Sequence, residues 1–419
     1  MVSLYQIDLF ACSMYKITAD GKTMVGCNYD TWNTSPKIWF ENAKHPTQYG
    51  IAFNGARQLS NNRIAPNSGM NEAGLVFARL AAYHPTQDNP FTDRITISDE
   101  FSYLTNILHE CADIEEVRKY IEKYDHSRFI EGVFIYIDTS GNYLIVEPYK
   151  LIEGNDPYYI LSNFCPSITD NQNARKLDRY RHGEDFLKRD EPQSNLAYCS
   201  ALSDTMSVCR NRNGDGTLLT SIYDIKERKI NLFFYHSYDQ VVQYDLNQEL
   251  AKGDHIIDIP EQFPRNKEYE RLESYITPFN TPKLKYLLLF TGVILTLFSI
   301  ILVLSGLLKR HTQISFKSVA LPAILNLALT VYLAIILTNK YVYYFDAPFK
   351  HHNSSLISGT SYIPFLLLVL FFPFTYYAIK YFKSREIKIW LKAILATNHL
   401  IYLVLILSFS YWGLYSVWQ

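Results

Sequence analysis

Residues 10–32 read FACSMYKITADGKTMVGCNYDTW, and the fold turns on how this stretch pairs with itself. Two β-prone runs, 12–18 (CSMYKIT) and 23–30 (TMVGCNYD), flank Ala19-Asp20-Gly21-Lys22. Asp-Gly between such runs predicts a hairpin. A loop of two or three residues sets Cys12 across from Tyr29 or Asp30, a thiol and a carboxylate on neighbouring strand ends. Cys12 then has two readings. It is a small apolar filler in the first strand, or it is destined to become the N-terminus. Cutting the Ala11–Cys12 bond would give Cys12 an α-amine of pKa about 7.7–8.0, close to a thiol's value of about 8.5. That amine can take the thiol proton while the Asp30 carboxylate holds the ammonium form, so one residue supplies both nucleophile and base.

The chain has 419 residues, more than one ordinary domain. Net charge is −1, with no basic stripe interleaved with aromatics, so nucleic acid is not an expected partner. With 33 tyrosines and 25 phenylalanines, disorder is not expected either. The six cysteines (Cys12, Cys27, Cys111, Cys165, Cys199, Cys209) form no Cys-x-x-Cys pair. They are too scattered for a disulfide scaffold, and their spacing argues against zinc. Cys165, Cys199 and Cys209 read as structural, and His109, His182 and His236 receive no role. Asn211 to Gly216 resembles the start of a calcium loop, but Ile222 occupies the place of the bidentate glutamate, so a Gly-rich turn is expected. No metal or organic cofactor is implied.

Organisation changes along the chain. Residues 12–258 read as a globular α+β domain, 259–283 as a charged, proline-rich linker, and 284–419 as a membrane region. Uncharged runs at about 286–308, 319–338, 361–379 and 393–418 are long enough to cross a bilayer. Their interiors lack Asp, Glu, Lys and Arg, which suits an anchor better than an ion path. Asn326, Asn398 and His399 are the polar exceptions, suited to interhelical hydrogen bonds. Lys309, Arg310 and Lys317 mark the first loop, and Lys380, Lys383, Arg385, Lys388 and Lys392 the third. Both loops are therefore expected in the cytoplasm, with the termini and the globular domain outside. Residues 1–11 are too short and polar for a secretory signal. They are the remnant of a longer leader or a propeptide, or else the globular half stays in the cytoplasm.

Within the globular half, Asp113 and Glu116 form a capping-box pattern ahead of an Ile114/Val117/Ile121 stripe. A second helix is expected over 174–189, mostly solvated.

The block Cys12…Val25-Gly26-Cys27-Asn28-Tyr29-Asp30 resembles the N-terminal-nucleophile (Ntn) cysteine hydrolases, the linear-amide group of bile salt hydrolases, penicillin V acylases and isopenicillin N acyltransferases. Three further blocks are similar and follow in family order. They are Gly69-Met70-Asn71-Glu72-Ala73-Gly74-Leu75, Ile160-Leu161-Ser162-Asn163 and Thr220-Ser221-Ile222-Tyr223-Asp224. The resemblance implies a four-layer αββα sandwich, followed here by an all-α region of four transmembrane helices. It implies Cys12 as nucleophile after removal of residues 1–11, Asp30 as holder of its α-amine, and Asn163 as oxyanion donor. The substrate would be a small-molecule N-acyl amide, with tethering to a lipid bilayer suggesting a lipid-like one. Oligomeric state is left open.

Departures from the family pattern matter. Cys27 stands where many relatives carry an arginine, and Ala81 where bile salt hydrolases have an oxyanion asparagine. The family's late arginine has no secure counterpart, although Arg210, Arg212 and Arg228 are near in sequence. Two functions are therefore expected to compete: an amide hydrolase or acyltransferase, and an inactive hydrolase fold that binds a ligand or partner at the membrane.

Overall fold

The computed structural model describes residues 12–31, 35–57, 64–189, 191–209, 216–307, 316–343, 347–349, 354–385 and 387–417. The expected propeptide, Arg210, Arg212 and most of the calcium-like loop lie outside the described residues. The chain divides into two compact units, one spanning 10–274 and the other containing 275–419.

In the first unit the strands are β1 (Ser13–Ala19), β2 (Lys22–Thr31), β3 (Pro36–Glu41), β4 (Ile51–Arg57), β5 (Ile64–Asn71), β6 (Val76–Ala81) and the short β7 (Ile95–Thr96). Helices α1 (Glu100–Glu110) and α2 (Ile114–Ile121) follow. Next come β8 (Tyr124–Asp125), β9 (Gly132–Ile137), β10 (Tyr143–Val146), β11 (Leu151–Gly154) and β12 (Tyr158–Leu161). Helices α3 (Asn171–Ala174), α4 (Asp178–Arg189) and α5 (Leu196–Thr205) lead to β13 (Gly216–Asp224), β14 (Lys229–Phe234) and β15 (Val242–Asp245). The unit closes with α6 (Leu246–Leu250), β16 (His255–Asp258) and α7 (Lys267–Glu273).

The opening hairpin forms as its turn chemistry dictates. Asp20 and Gly21 take φ of 53° and 70°, the two left-handed positions of a tight hairpin loop. Gly26 is needed for a second reason: a Cβ there would run into the Tyr15 ring, which lies across β2. The Tyr15 hydroxyl reaches on to the Cys199 carbonyl at 2.5 Å and so ties the hairpin to α5.

Two antiparallel sheets result, six strands in the order β12-β1-β2-β13-β14-β15 and eight in the order β11-β10-β9-β6-β5-β4-β3-β16. Strands β9 and β13 are buried along their whole length, because each is covered on both faces. Helices α4 and α5 cover the outer face of the six-stranded sheet, packing Leu187, Cys199, Leu202 and Met206 against Tyr15, Ile17 and Ile222. Helices α1 and α2 cover the eight-stranded sheet through Leu104, Ile107, Leu108, Val117 and Ile121. The layer order is αββα.

The Asp113 side chain caps α2 by accepting from Glu116 N at 2.9 Å. Glu116 folds back onto Ala112 N at 2.7 Å rather than onto Asp113 itself. Helix α4 is less solvated than its charge suggests, since Arg179, Gly183 and Leu187 form a buried stripe at i, i+4, i+8. Helix α7 packs back through Tyr269, whose ring meets Phe234 and Tyr235 edge-on, so the globular unit runs on to residue 274.

The second unit holds α8 (Pro282–Leu307), α9 (Phe316–Thr338), α10 (Ser355–Thr360), α11 (Ile363–Lys383) and α12 (Ile389–Tyr411). Four spans, with α10 and α11 counted as one, are long and apolar enough to cross a membrane. Helix α8 turns Leu288, Gly292, Leu295, Ser299, Leu302 and Gly306 inward and exposes Leu289, Phe290, Val293 and Leu297. Small residues at the contact let the backbones approach, and Ser299 donates to the Ala323 carbonyl at 2.8 Å. Asn326 donates to Asn398 at 2.9 Å and accepts from Tyr402 at 2.6 Å, while His399 meets Thr375 at 2.9 Å.

Candidate active site

Strand register decides what surrounds Cys12, which immediately precedes β1. In the β1–β2 pair Ser13 lies opposite Asn28, so one more step places Cys12 opposite Tyr29, with Asp30 next. In the β1–β12 pair Met14 lies opposite Leu161, and two further steps place Cys12 opposite Asn163. The three residues singled out from sequence therefore meet at one end of the six-stranded sheet, Cys12 in the middle, Asp30 on β2 to one side and Asn163 just past the end of β12 to the other.

Hydrogen bonds fix the arrangement. Ser162 Oγ donates to the Cys12 carbonyl at 3.1 Å. Asn163 Nδ2 donates to the Ala81 carbonyl at 2.7 Å. Ala81, the last residue of β6 in the eight-stranded sheet, and Asn163, two residues past β12 of the six-stranded sheet, thus come together at the site. On the other side, Asp30 is buried and its Oδ1 accepts from Thr217 Oγ1 at 2.6 Å. The Asp30 main-chain amide donates to the Cys12 sulfur.

Cys12 is 5% exposed in the uncut chain. Burial pushes its thiol pKa up to about 12, and the Asp30 charge adds to the rise. The Asp30 amide, then Arg179, then Arg79 oppose it. At neutral pH the intact chain keeps this sulfur protonated.

Arg179 is the residue that sequence reasoning missed. It is 6% exposed, and its Nε donates to Ser162 Oγ at 2.9 Å while one terminal nitrogen donates to Asn163 Oδ1 at 2.6 Å. One guanidinium thus orients the Asn163 amide and the hydroxyl that holds Cys12, a fork geometry suited to arginine. Its sequence signal was the Arg179/Gly183/Leu187 stripe in a helix otherwise rich in charge. Arg79, bonded to Glu100, brings a second cation to the site's surroundings. Positive charge near Cys12 comes from Arg79 on β6 and Arg179 on α4.

Cys27 is buried next to Cys12, with its own thiol pushed up to about 12 by burial. It borders a polar cluster between the sheets, in which Asn54 donates to Ser221 at 2.9 Å and to Tyr223 at 2.6 Å, and Ser68 donates to Asn54 at 3.0 Å. Arg228 has a different task. It donates to the carbonyls of Glu72 at 2.7 Å and Ala73 at 2.8 Å, clamping the turn whose Gly74 sits at φ 86°. It belongs to the Gly69–Leu75 block and not to the Cys12 cluster.

No protein-family model matches the chain, and no curated protein does. Among solved structures it is similar to two variants of the conjugated bile acid hydrolase from Clostridium perfringens, each 17% identical with a TM-score of 0.45, covering 61% of this chain and 97% of theirs. It is also similar to penicillin V acylase from Agrobacterium tumefaciens, 14% identical with a TM-score of 0.45, covering 59% of this chain and 91% of that one. Likenesses this distant leave the chemistry to the geometry around Cys12 itself.

Proposed function

We propose that this protein is a membrane-anchored cysteine Ntn hydrolase that cleaves a linear non-peptide amide, or transfers its acyl group, through a thioester on Cys12. The observation that carries the reading is the strand order and hydrogen bonding that bring Asp30 of β2 to one side of Cys12 and Asn163, just past β12, to the other.

Removal of residues 1–11 exchanges a peptide N–H for an α-amine. The Cys12 amine takes the thiol proton and the sulfur attacks the amide carbon. A C–S bond forms and the carbonyl oxygen becomes an oxyanion facing Asn163. Asn163 Nδ2 has two hydrogens, of which Ala81 takes one, leaving the other for that oxygen. Such a donor is worth about 3–4 kcal/mol in the transition state. The C–N bond then breaks and the leaving amine departs with the proton held by the α-ammonium. Water, or an acceptor amine, attacks the thioester and restores the thiol. Asp30 holds the ammonium between steps, and Arg179 is a positioning residue that sets the Asn163 amide. The four apolar spans anchor the enzyme, with its globular unit outside the cytoplasm, and an N-acyl lipid is the substrate class we favour.

N-terminal sequencing and intact mass of the mature protein, paired with hydrolysis of a panel of acylated amines, test this. A mature chain starting at Cys12 with amidase activity is expected. An uncut chain with no activity on any amide would leave the ligand-binding reading standing instead. Cleavage of soluble amides without any N-acyl lipid turned over would remove the lipid assignment alone.

A further inference from the structure

Three side chains outside the proposed chemistry converge from distant parts of the globular unit. Cys209 bridges to Gly216 at the start of β13, His236 follows β14, and Glu268 lies in the first turn of α7. Their sulfur, imidazole nitrogen and carboxylate oxygen all lie within 4.8 Å of one another. His236 Nε2 is 3.8 Å from the Glu268 carboxylate, buried, and engaged in no hydrogen bond.

The backbone is arranged to present this ring. Tyr235 and His236 both have positive φ, 53° and 42°, which is uncommon for consecutive residues other than glycine. Their amides are pinned to the carbonyls of Leu218 and Thr217, each at 2.9 Å.

We propose that Cys209 Sγ, His236 Nε2 and a Glu268 oxygen bind one zinc-class divalent ion, with solvent as the fourth ligand. Sulfur, imidazole and carboxylate suit a borderline-soft ion, whereas calcium and magnesium take oxygen ligands. Metal–ligand distances of about 2.0–2.3 Å in a tetrahedron separate ligand atoms by about 3.3–3.7 Å. A movement of about 1 Å by the exposed Cys209 and Glu268 side chains achieves this. The Cys209 proton leaves to solvent as the thiolate binds.

The ion would be a clasp next to the Cys12 site. Thr217, whose hydroxyl donates to Asp30, also bonds through its main chain to Val208 at 2.8 Å and to His236 at 2.9 Å. Metal binding therefore ties the support of Asp30 to α7. The site stands independently of whether the enzyme cleaves amides.

The test uses the full chain in detergent, stripped with a chelator and titrated with zinc and then with cobalt(II). One equivalent per chain is expected, with a thiolate-to-cobalt charge-transfer band in both the unchanged protein and Cys12→Ser. Cys209→Ser should lose the band, and zinc affinity in Cys209→Ser and His236→Ala should fall about tenfold or more. Zinc should also raise the unfolding temperature of the unchanged protein and not that of Cys209→Ser. Absence of stoichiometric binding, or a band that survives Cys209→Ser and vanishes in Cys12→Ser, overturns the assignment. Should Cys209→Ser fail to fold, alkylation of Cys209 in the unchanged protein decides. Protection by zinc is expected, and a rate that zinc leaves unchanged refutes the site.

Discussion

In the globular unit, Asp30, Asn163 and Arg179 are held against a buried sulfur by bonds to Thr217, Ala81 and Ser162. In the helical unit, Asn326, Asn398 and Tyr402 are also withdrawn from the surroundings, yet they bond to one another and surround no nucleophile. In both sets each of these residues has a hydrogen-bond partner. They differ in what the satisfied groups face. Around Cys12 the partners are arranged about a buried thiol, whereas in α9 and α12 they hold two helices together. Polar burial alone is therefore a poor marker of a site, and polar burial around a thiol is a better one.

Five substitutions break or sharpen this contrast. Cys12→Ala has the largest expected effect: amide hydrolysis falls to background while the unfolding temperature barely moves, measured by product release and calorimetry. Activity that survives would dissolve the contrast at once. Asn163→Ala should lower kcat by about 10²–10³-fold, the usual cost of one oxyanion donor. Steady-state kinetics with KM unchanged would mark it as acting in the transition state.

Arg179→Lys should lower kcat by about tenfold and leave KM in place, because a point charge cannot hold both Ser162 and Asn163. A structural role alone would lower the unfolding temperature with no change in kcat. On the helical side, Asn398→Leu should destabilise the α9–α12 packing by about 1–2 kcal/mol, read by unfolding in mixed detergent micelles. Hydrolysis of a soluble amide should be untouched, and a fall in kcat would show that the two polar sets share one function.

The last test leaves catalysis aside and concerns His126, buried against the Tyr103 hydroxyl with its pKa pushed down to about 3 by burial. The unfolded chain takes up a proton near pH 6.5 and the folded one only near 3, so stability is complete above pH 6.5 and is lost as pH falls through that window. The slope is about 1.4 kcal/mol per pH unit for one proton. His126→Gln should flatten urea-unfolding midpoints of the globular unit between pH 6.5 and 4. An unchanged slope would show that other groups set its acid sensitivity.

Much of this was legible in the residues. The Asp20-Gly21 loop dictates the hairpin because only left-handed positions close it with the right twist, and that alone brings Cys12 towards Asp30. The apolar spans of α8, α9, α11 and α12 announce themselves by length and composition. Asn163 was reachable only through its resemblance to a family block, since nothing local to Leu161-Ser162-Asn163 distinguishes it from an ordinary turn. Arg179 was misread because a charged helix signals solvent unless its buried stripe is recognised.

The amino-acid order by itself determined the local elements: where strands turn, which helix faces are apolar, and which runs suit a bilayer. These depend on dihedral preferences and periodicity within a few residues. Tertiary structure alone decided that Ala81 meets Asn163, that Arg179 serves Ser162 and Asn163, and that Cys209, His236 and Glu268 share one corner. Periodicity states which face is buried and leaves open what that face will touch. That choice is made by layer packing between segments far apart in the chain, where no short-range rule reaches.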